Sequence, residues 1–229
     1  MKINEYSVDS VYETLNRQLN SFWKTEIDIR FFKEHIEQAI EKTKVSFDAS
    51  NRKYYLNQGF SVLNTAVYSV FLYYLSHDIG TNKIQGGGIE LADKLYYLNK
   101  IMNGVEWYWN IELPAHFIVE HPLGGVLGKA EYGDYFSIYQ GVTVGEKLKK
   151  DEIIWPSIGH HVIMFANSSI IGECRIGKWC VLAANAQVIN RDIPDYSIVY
   201  GSGHELKVKT MCLEEIRPYF TKSWKLEEN

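Results

Sequence analysis

The sequence predicts a chain in two parts, a helical N-terminal half followed by a three-sided parallel β-solenoid. Two observations predict it: aliphatic residues recur every six positions in the second half, and apolar residues follow helical spacing in the first half. A period of six matches neither the 3.6-residue period of a helix nor the two-residue period of a strand. Three short strands per coil, six residues to a side, do explain it, with each aliphatic side chain stacking on its equivalent in the next coil.

The repeat is clearest near the C-terminal end, where the position four residues after each aliphatic one is also apolar or small, with Asp192 as the exception. The aliphatic positions are Ile158, Met164, Ile170, Ile176, Leu182 and Val188. The positions that follow are Val162, Ser168, Cys174, Cys180 and Ala186. An earlier run in a second frame contains Val126, Tyr132, Ile138 and Val144. The charged stretch 145–157 separates the two frames, so we expect a loop expelled there from one corner of the prism.

The residues before the repeat predict helices. Apolar residues at helical spacing indicate helices over Val8–Phe22, Ile29–Val45, Phe60–Leu75 and Ile89–Met102. The third segment is apolar nearly all round, which favours a buried central helix. Residues Glu214–Trp224 are expected to form a helix that covers the open end of the solenoid. The predicted domains are a helical domain (1–110), a solenoid (111–203) and a C-terminal tail or helix (204–229).

Composition limits the possible functions. The net charge of −4 gives no reason to expect a nucleic acid or an acidic membrane surface as partner. No apolar run is long enough for a membrane span and the N-terminus has no apolar signal core, so we expect a cytoplasmic protein. Three cysteines without a metal-type spacing are best explained by packing, since free cysteine behaves as a small buried hydrophobe.

Two segments carry a resemblance to a known family. Residues 134–145, Asp-Tyr-Phe-Ser-Ile-Tyr-Gln-Gly-Val-Thr-Val-Gly, resemble a segment of the serine O-acetyltransferases, and residues 158–195 resemble their closing coils. These enzymes belong to the hexapeptide-repeat acyltransferase superfamily. The resemblance implies a left-handed parallel β-helix after N-terminal helices, acetyl-CoA as acyl donor without a metal, and a homotrimer or a dimer of trimers.

The resemblance also implies a general base. His121 opens a segment, 121–128, that matches the family pattern H-x-x-G-x-V-x-G, in which the histidine removes a proton from the acceptor hydroxyl. An imidazole with an ordinary pKa near 6.5 suits that task near neutral pH. Glu112 and Glu120 both match family acids in their local context, Glu120 matching one that holds the acceptor. Which glutamate pairs with His121 is open at this point.

Further residues are expected at the substrates. By match to the family, Gly145, Ala166 and Ala184 lie at corners where backbone amides bind the pantetheine arm of the coenzyme, and small residues permit that close approach. Gln140 and Trp155 are the candidates for binding the acceptor.

This chain departs from the family before Pro156. The Arg-His pair that holds the carboxylate of serine is replaced by Ile154-Trp155, so the carboxylate clamp is missing there. The change favours a sugar or nucleotide sugar as acceptor, with Trp155 stacking on the ring, although Trp155 is equally suited to pack its loop on a neighbouring subunit.

Two alternative functions remain at this stage. One is a zinc enzyme like the γ-class carbonic anhydrases, which would use His116 and His121. The other is a non-catalytic trimeric scaffold.

Overall fold

The structure is a computed structural model that describes residues 7–24, 29–52, 55, 59–82 and 88–226. Its helices are α1 (Val8–Phe22), α2 (Ile29–Asp48), α3 (Thr65–Thr81), α4 (Gly88–Asn103) and α5 (Leu213–Phe220). The strands are β1 (Glu106–Trp107), β2 (Phe117–Val119), β3 (Val126–Leu127), β4 (Glu131–Tyr132), β5 (Phe136–Ile138), β6 (Thr143–Gly145), β7 (Lys147–Lys149), β8 (Glu152–Ile154), β9 (Ser157–Ile158), β10 (Val162–Met164), β11 (Ser169–Ile171), β12 (Arg175–Ile176), β13 (Cys180–Leu182), β14 (Gln187–Ile189), β15 (Ser197–Tyr200) and β16 (Lys207–Thr210).

The helical part is organised around α3. Nearly every residue of α3 is buried, as its apolar composition predicts, and it packs against both α2 and α4. The helix begins at Thr65 rather than at Phe60 because Asn64 caps it, its side-chain oxygen accepting hydrogen bonds from the backbone N–H groups of Ala66 and Val67. No helix among the residues that the structure describes is both long and apolar enough to cross a membrane.

The second part is a left-handed parallel β-helix with three sheets, one on each side of a triangular prism. The first sheet has the order β1-β3-β6-β11-β14, the second β2-β5-β10-β13-β15, and the third β4-β9-β12. All of these neighbours are parallel, and β16 adds an antiparallel edge to the second sheet after β15. The paired strands therefore begin at Glu106, while the domain limits at residues 110 and 203 stay a prediction.

The repeat positions fill the prism. All six aliphatic residues from Ile158 to Val188 are buried, and register pairs join them coil to coil, such as Met164 with Leu182 and Ile170 with Val188. One position of the earlier frame was wrong: Val126 is 36% exposed, whereas its neighbour Leu127 is 2% exposed and pairs with Val144. The phase differs here because only five residues separate Leu127 from Tyr132, whereas six separate the equivalent Ile170 and Ile176, so the corner after β3 is one residue shorter.

The stretch that separates the two frames of the repeat forms a β-hairpin. Strands β7 and β8 pair antiparallel and leave the solenoid between β6 and β9, as expected for an expelled loop. The two-residue turn is Lys150-Asp151, and both residues have positive φ, which is the geometry of a tight hairpin turn. Leu148 and Ile153, which face each other across the hairpin, are both more than half exposed.

A column of stacked rings runs along one edge of the prism, at the corner that leads into the second sheet. His116 stacks on Tyr135, Tyr135 on His161, and His161 on Trp179, with ring centroids 4.5, 4.6 and 4.0 Å apart. Phe220 meets the column edge to face at Trp179. The C-terminal segment thus packs along this edge through aromatic contacts. A helix does form near the expected position, at Leu213–Phe220, but the segment covers a side of the prism and not its open end.

This column makes stability depend on pH. The pKa of His161 is lowered to about 4, mainly by burial between the rings and also by the charge of neighbouring His160, with Asp134 acting in the opposite direction. The unfolded chain binds this proton with a pKa near 6.5, so the neutral form of the ring favours the folded state. The contribution of His161 to the free energy of unfolding is fully present above pH 6.5 and decreases as the pH falls towards 4. We expect the loss to be about 1–2 kcal/mol, since His161 is partly exposed.

Urea unfolding between pH 4 and 7 measures this effect, with His161→Phe as the matched variant. Phenylalanine keeps the stack and cannot titrate, so its unfolding free energy should depend less on pH than that of the unaltered chain. Equal pH dependence in the two proteins would show that His161 is not the responsible group.

Candidate active site

The candidate site lies at the corner that links the second sheet to the first. We call this the His121 corner: it contains residues 120–125 in the first full coil and, stacked on them, 139–142, 165–168 and 183–186. Backbone hydrogen bonds join successive levels, from Gly141 N to Leu123 O (3.0 Å), from Asn167 N to Gln140 O (2.9 Å) and from Asn185 N to Ala166 O (2.9 Å). Gly124, Gly141, Asn167 and Asn185 make the turn with positive φ, the region that glycine and asparagine tolerate best.

His121 belongs to an extension of this corner. Six residues separate β2 from β3, whereas four separate β5 from β6 and four separate β10 from β11. His121 and Pro122 fall between Glu120 and Leu123, which keep the backbone pairing of the later levels, so they form the two-residue extension. His121 has a φ of 53°, and its side chain is exposed. It makes no hydrogen bond or ion pair with any residue in the described part of the chain.

The residue before it, Glu120, is engaged by a cation from the helical part. Arg52 Nε lies 2.8 Å from Glu120 Oε1, and the two side chains are only 20% and 18% exposed. The N–H of Arg52 is not aimed at the oxygen, so the contact is an ion pair rather than a hydrogen bond. Tyr55 lies nearby; burial raises the pKa of its hydroxyl, and the charge of Glu120 raises it further. A neutral phenol and a guanidinium therefore surround the Glu120 carboxylate.

Glu112 lies in a different environment. Its carboxylate is 86% exposed and lies 3.6 Å from Nε2 of His77, a residue of α3. The Nδ1–H of His77 donates to the carbonyl oxygen of Trp109 at 2.8 Å, so Nε2 is the nitrogen that faces Glu112. In a single chain, then, the structure brings Glu112 to His77 and Glu120 to Arg52, and hydrogen-bonds neither carboxylate to His121. The catalytic roles of both glutamates stay predictions.

The residues expected to bind the coenzyme fall in two places. Ala166 and Ala184 stack on successive levels of the His121 corner, where the Ala166 carbonyl accepts a hydrogen bond from the next level. Gly145 lies at the far end of β6, in register with Ile171 and not at this corner. Gln140 lies at the corner between the levels of Leu123 and Ala166, and its buried side-chain oxygen has no hydrogen-bond partner among the residues that the structure describes.

Trp155 lies at the corner between the first and third sheets, next to the hairpin, and not at the His121 corner. Its ring is 38% exposed, and the Lys129 ammonium lies 3.9 Å from the ring centroid. One aromatic face is therefore already covered by a cation of the same chain. Within one chain Trp155 and His121 are separated by the length of a strand, so they could face the same acceptor only across a subunit boundary.

His116, considered for a zinc site, belongs to the aromatic column. Its Nδ1 and its backbone N–H lie 2.7 and 2.8 Å from the two carboxylate oxygens of Asp134, which fixes the imidazole as a donor at Nδ1. The pKa of Asp134 is lowered by these contacts in spite of its partial burial. Among the described residues, the structure contains no group of three His, Cys, Asp or Glu side chains able to hold a metal.

Sequence reasoning missed Arg52 and Tyr139. Arg52 Nη2 donates to the Tyr139 hydroxyl at 2.8 Å, and Tyr139 lies one level below Glu120 at the same corner. Arg52 lies 68 residues before Glu120 in the chain, in a segment with no motif, so nothing in the sequence connects the two. Tyr139 does lie inside the family-like segment, but as a variable position of that pattern.

Comparisons with known proteins agree with this geometry. A serine acetyltransferase of Staphylococcus xylosus is 29% identical over 143 residues, which are 62% of this chain and 64% of that protein. A serine acetyltransferase of Synechococcus elongatus is 32% identical over 47% of this chain and 44% of its own length. The chain thus matches between 44% and 64% of the length of these relatives. No family model matches the sequence.

Solved structures extend the likeness to the whole fold. The serine acetyltransferase of Neisseria gonorrhoeae superposes with a TM-score of 0.66 at 22% identity, covering 93% of this chain and 84% of that one. A similar serine acetyltransferase was solved with CoA, at a TM-score of 0.58 and 18% identity, over 88% of this chain and 76% of that one. The molecule has N-terminal helices followed by a left-handed β-helix built from six-residue repeats. In this fold, and in part of its sequence, it resembles the serine acetyltransferases.

Substitution of the two glutamates should lower the free energy of unfolding by different amounts. Glu120→Ala leaves the Arg52 guanidinium largely buried without its counter-charge, so we expect the unfolding free energy to decrease by about 1–3 kcal/mol. Glu112→Ala removes an exposed carboxylate, and its effect should stay within about 0.5 kcal/mol. Urea unfolding at pH 7 measures both, and equal losses would show that the Arg52–Glu120 pair contributes nothing to stability.

Proposed function

We propose that this chain is an acetyl-CoA-dependent O-acetyltransferase. The observation that carries the proposal is the exposed imidazole of His121, free of described partners, on an extended corner of a left-handed β-helix whose relatives are serine acetyltransferases. An imidazole without a partner among the described residues is available to accept a proton from a bound hydroxyl. The activity is a proposal because this chain matches only 64% or less of the curated relatives described above.

The reaction would be direct transfer. His121 takes the proton of the acceptor hydroxyl while the hydroxyl oxygen attacks the thioester carbonyl carbon. The C–S bond then breaks, and the leaving thiolate takes the proton from the imidazolium, so the products are the acetyl ester and free CoA. Glu120, the residue before His121, is proposed to hold the acceptor. We leave open whether Glu112 or Glu120 pairs with the imidazolium, since each has another partner in the single chain.

For the acceptor we propose serine or a closely related small hydroxy amino acid. The relatives described above are named serine acetyltransferases, and one structure of the Neisseria gonorrhoeae protein was solved with serine. The preference for a sugar or nucleotide sugar, which rested on Trp155, finds no support in these comparisons. The ring that would stack on the sugar already has Lys129 over one face. The replacement of the family's Arg-His pair by Ile154-Trp155 means that the acceptor carboxylate must be bound elsewhere.

For the coenzyme we propose the side of the His121 corner. Ala166 and Ala184 stack there on successive levels and present backbone with little side chain, which permits the close approach of a thin pantetheine arm. Gly145 would contact the coenzyme only further along the first sheet. One similar serine acetyltransferase was solved with CoA, which supports the donor that we propose.

We also propose that the chain assembles as a homotrimer. Within one chain His121 is exposed, and Trp155 and the hairpin lie at another corner. Leu148 and Ile153 of the hairpin expose apolar side chains that a neighbouring solenoid could cover. A crevice between two solenoids would bring the His121 corner of one subunit to the hairpin side of the next.

Activity is tested by mixing the purified chain with acetyl-CoA and following release of the free thiol. We expect release with serine and none with nucleotide sugars. His121→Ala should lower kcat about 10²–10⁴-fold, the usual contribution of a positioned general base. His160→Ala is the control, because His160 is an exposed histidine at a different corner and should retain activity. An unchanged rate in His121→Ala, or release only with sugars, would contradict the corresponding part of the proposal.

Assembly is tested by sedimentation equilibrium at micromolar concentration. We expect the mass of three chains, or of six if the helical parts join two trimers. Leu148→Lys/Ile153→Lys on the hairpin should shift the distribution towards smaller species, since charges replace apolar contacts. If the unaltered chain sediments as a monomer, an active site between subunits is ruled out.

A further inference from the structure

The segment that carries Arg52 is joined to the C-terminal end of the chain. Residues 49–51 run antiparallel to residues 223–225, with hydrogen bonds from Asn51 N to Ser223 O (2.9 Å) and from Lys225 N to Ala49 O (2.8 Å). Between them Ser50 and Trp224 form an antiparallel bridge. The Asn51 side chain also donates to the carbonyl oxygens of Thr221 (2.7 Å) and Trp224 (2.9 Å). Two segments distant in sequence thus form one fixed unit beside the solenoid.

Arg52 projects from this unit to the His121 corner and contacts two levels of it. Its guanidinium pairs with Glu120 on one level and donates through Nη2 to the Tyr139 hydroxyl on the next. The same Nη2 donates to the Ser223 hydroxyl at 3.1 Å, which ties the guanidinium to the C-terminal segment. The guanidinium carbon also lies 5.7 Å from the centroid of the Tyr139 ring. One planar group therefore meets three side chains from three parts of the chain.

This arrangement requires arginine. A guanidinium is a rigid plane, so its Nε side can lie against Glu120 while Nη2 donates to Tyr139 and Ser223. A lysine ammonium carries the same charge but acts as a point donor and cannot span the three positions. A change to lysine therefore separates two possible roles of Arg52. If Arg52 acts only by its charge, lysine can replace it; if it acts by its geometry, lysine cannot.

The next residue after Glu120 is His121. The imidazole has no hydrogen bond to any described residue, and its loop is an extension outside the regular coil. The contacts that His121 makes with described residues therefore cannot orient an acceptor at this corner. Glu120, in contrast, is held in a defined place by Arg52.

We infer that Arg52 is a positioning residue for acceptor binding: it acts through Glu120, orienting that carboxylate beside His121, and is itself held by the C-terminal segment through Ser223. The inference rests on the proposed function, in which Glu120 contacts the acceptor. It assigns to the helical part and to the C-terminus a role in a site that the family-like motifs place in the solenoid alone.

The test is a double-mutant cycle with Arg52→Gln and Glu120→Gln, read in the KM for the acceptor and the KM for acetyl-CoA. Each single change should raise the acceptor KM about tenfold or more, the usual effect of losing one charged partner of a largely buried pair. The double variant should be no worse than Glu120→Gln, because Arg52 acts only through that carboxylate. The KM for acetyl-CoA should stay within about twofold of the unaltered value, which a general loss of structure would not allow.

Two further variants sharpen the result. Arg52→Lys should raise the acceptor KM nearly as much as Arg52→Gln, since it keeps the charge and loses the planar fork. Arg191→Lys is the matched control: Arg191 makes a single 3.5 Å contact to the Leu206 carbonyl at the other end of the solenoid, and its substitution should have no effect. Full activity in Arg52→Lys, or strictly additive effects in the cycle, would overturn the inference, because Arg52 would then act by charge alone or on the acceptor directly.

Failure of the proposed function is recognised separately. If the unaltered chain transfers no acetyl group to serine or to other hydroxyl compounds, the transferase proposal fails, and the positioning role fails with it. The same four proteins then still report on the ion pair through a cycle of unfolding free energies. If the unaltered chain is active and only the cycle is additive, the function stands and the role of Arg52 is rejected.

Discussion

The stacking of buried aliphatic side chains from coil to coil is the constraint on which the rest of this structure depends. Ile138, Met164, Leu182 and Val199 lie in register along the second sheet and are fully buried, as are Val144, Ile170 and Val188 along the first. The interior of the prism is filled, so it has no room for an extra residue. Any insertion must therefore leave the coil at a corner and point outwards.

Two insertions obey this rule, and one of them carries the proposed general base. The β7–β8 hairpin leaves at one corner, and the His121-Pro122 extension leaves at another. Both leave the backbone ladder intact on either side. A regular solenoid thus offers a rigid wall on which short irregular segments carry chemistry, and the imidazole of His121 is held in one of them. The helical part and the C-terminal segment contribute to the same corner from outside the coil, since Arg52 contacts Glu120, Tyr139 and Ser223.

The sequence predicted the fold well because the packing constraint appears directly in the sequence. The hexapeptide positions from Ile158 to Val188 are all buried, and the break in their frame is the hairpin. The prediction was wrong at Val126 for the same physical reason. Only five residues separate Leu127 from Tyr132 because the corner after β3 is one residue short, so counting back by six from Tyr132 falls on Val126 instead of the buried Leu127.

The site was less predictable than the fold. The motif at residue 121 identifies a histidine on the surface, but periodicity carries no information about which side chains from other segments meet it. Glu112 lies close to His121 in sequence and yet contacts His77, because the chain turns into the first coil between them. Arg52 is distant in sequence and contacts Glu120, because a helix and an antiparallel bridge to Trp224 bring it there. Contacts between elements follow from the tertiary fold, and a motif within one element cannot specify them.

We propose that the His121 corner presents its imidazole to an acetyl thioester. The most direct measurement is a crystal structure of the assembled protein with CoA and serine bound. We expect the pantetheine arm to run past Ala166 and Ala184 and to place its sulfur, with the serine hydroxyl, within hydrogen-bonding reach of the His121 ring. A coenzyme bound at another corner, with His121 facing solvent, would contradict it.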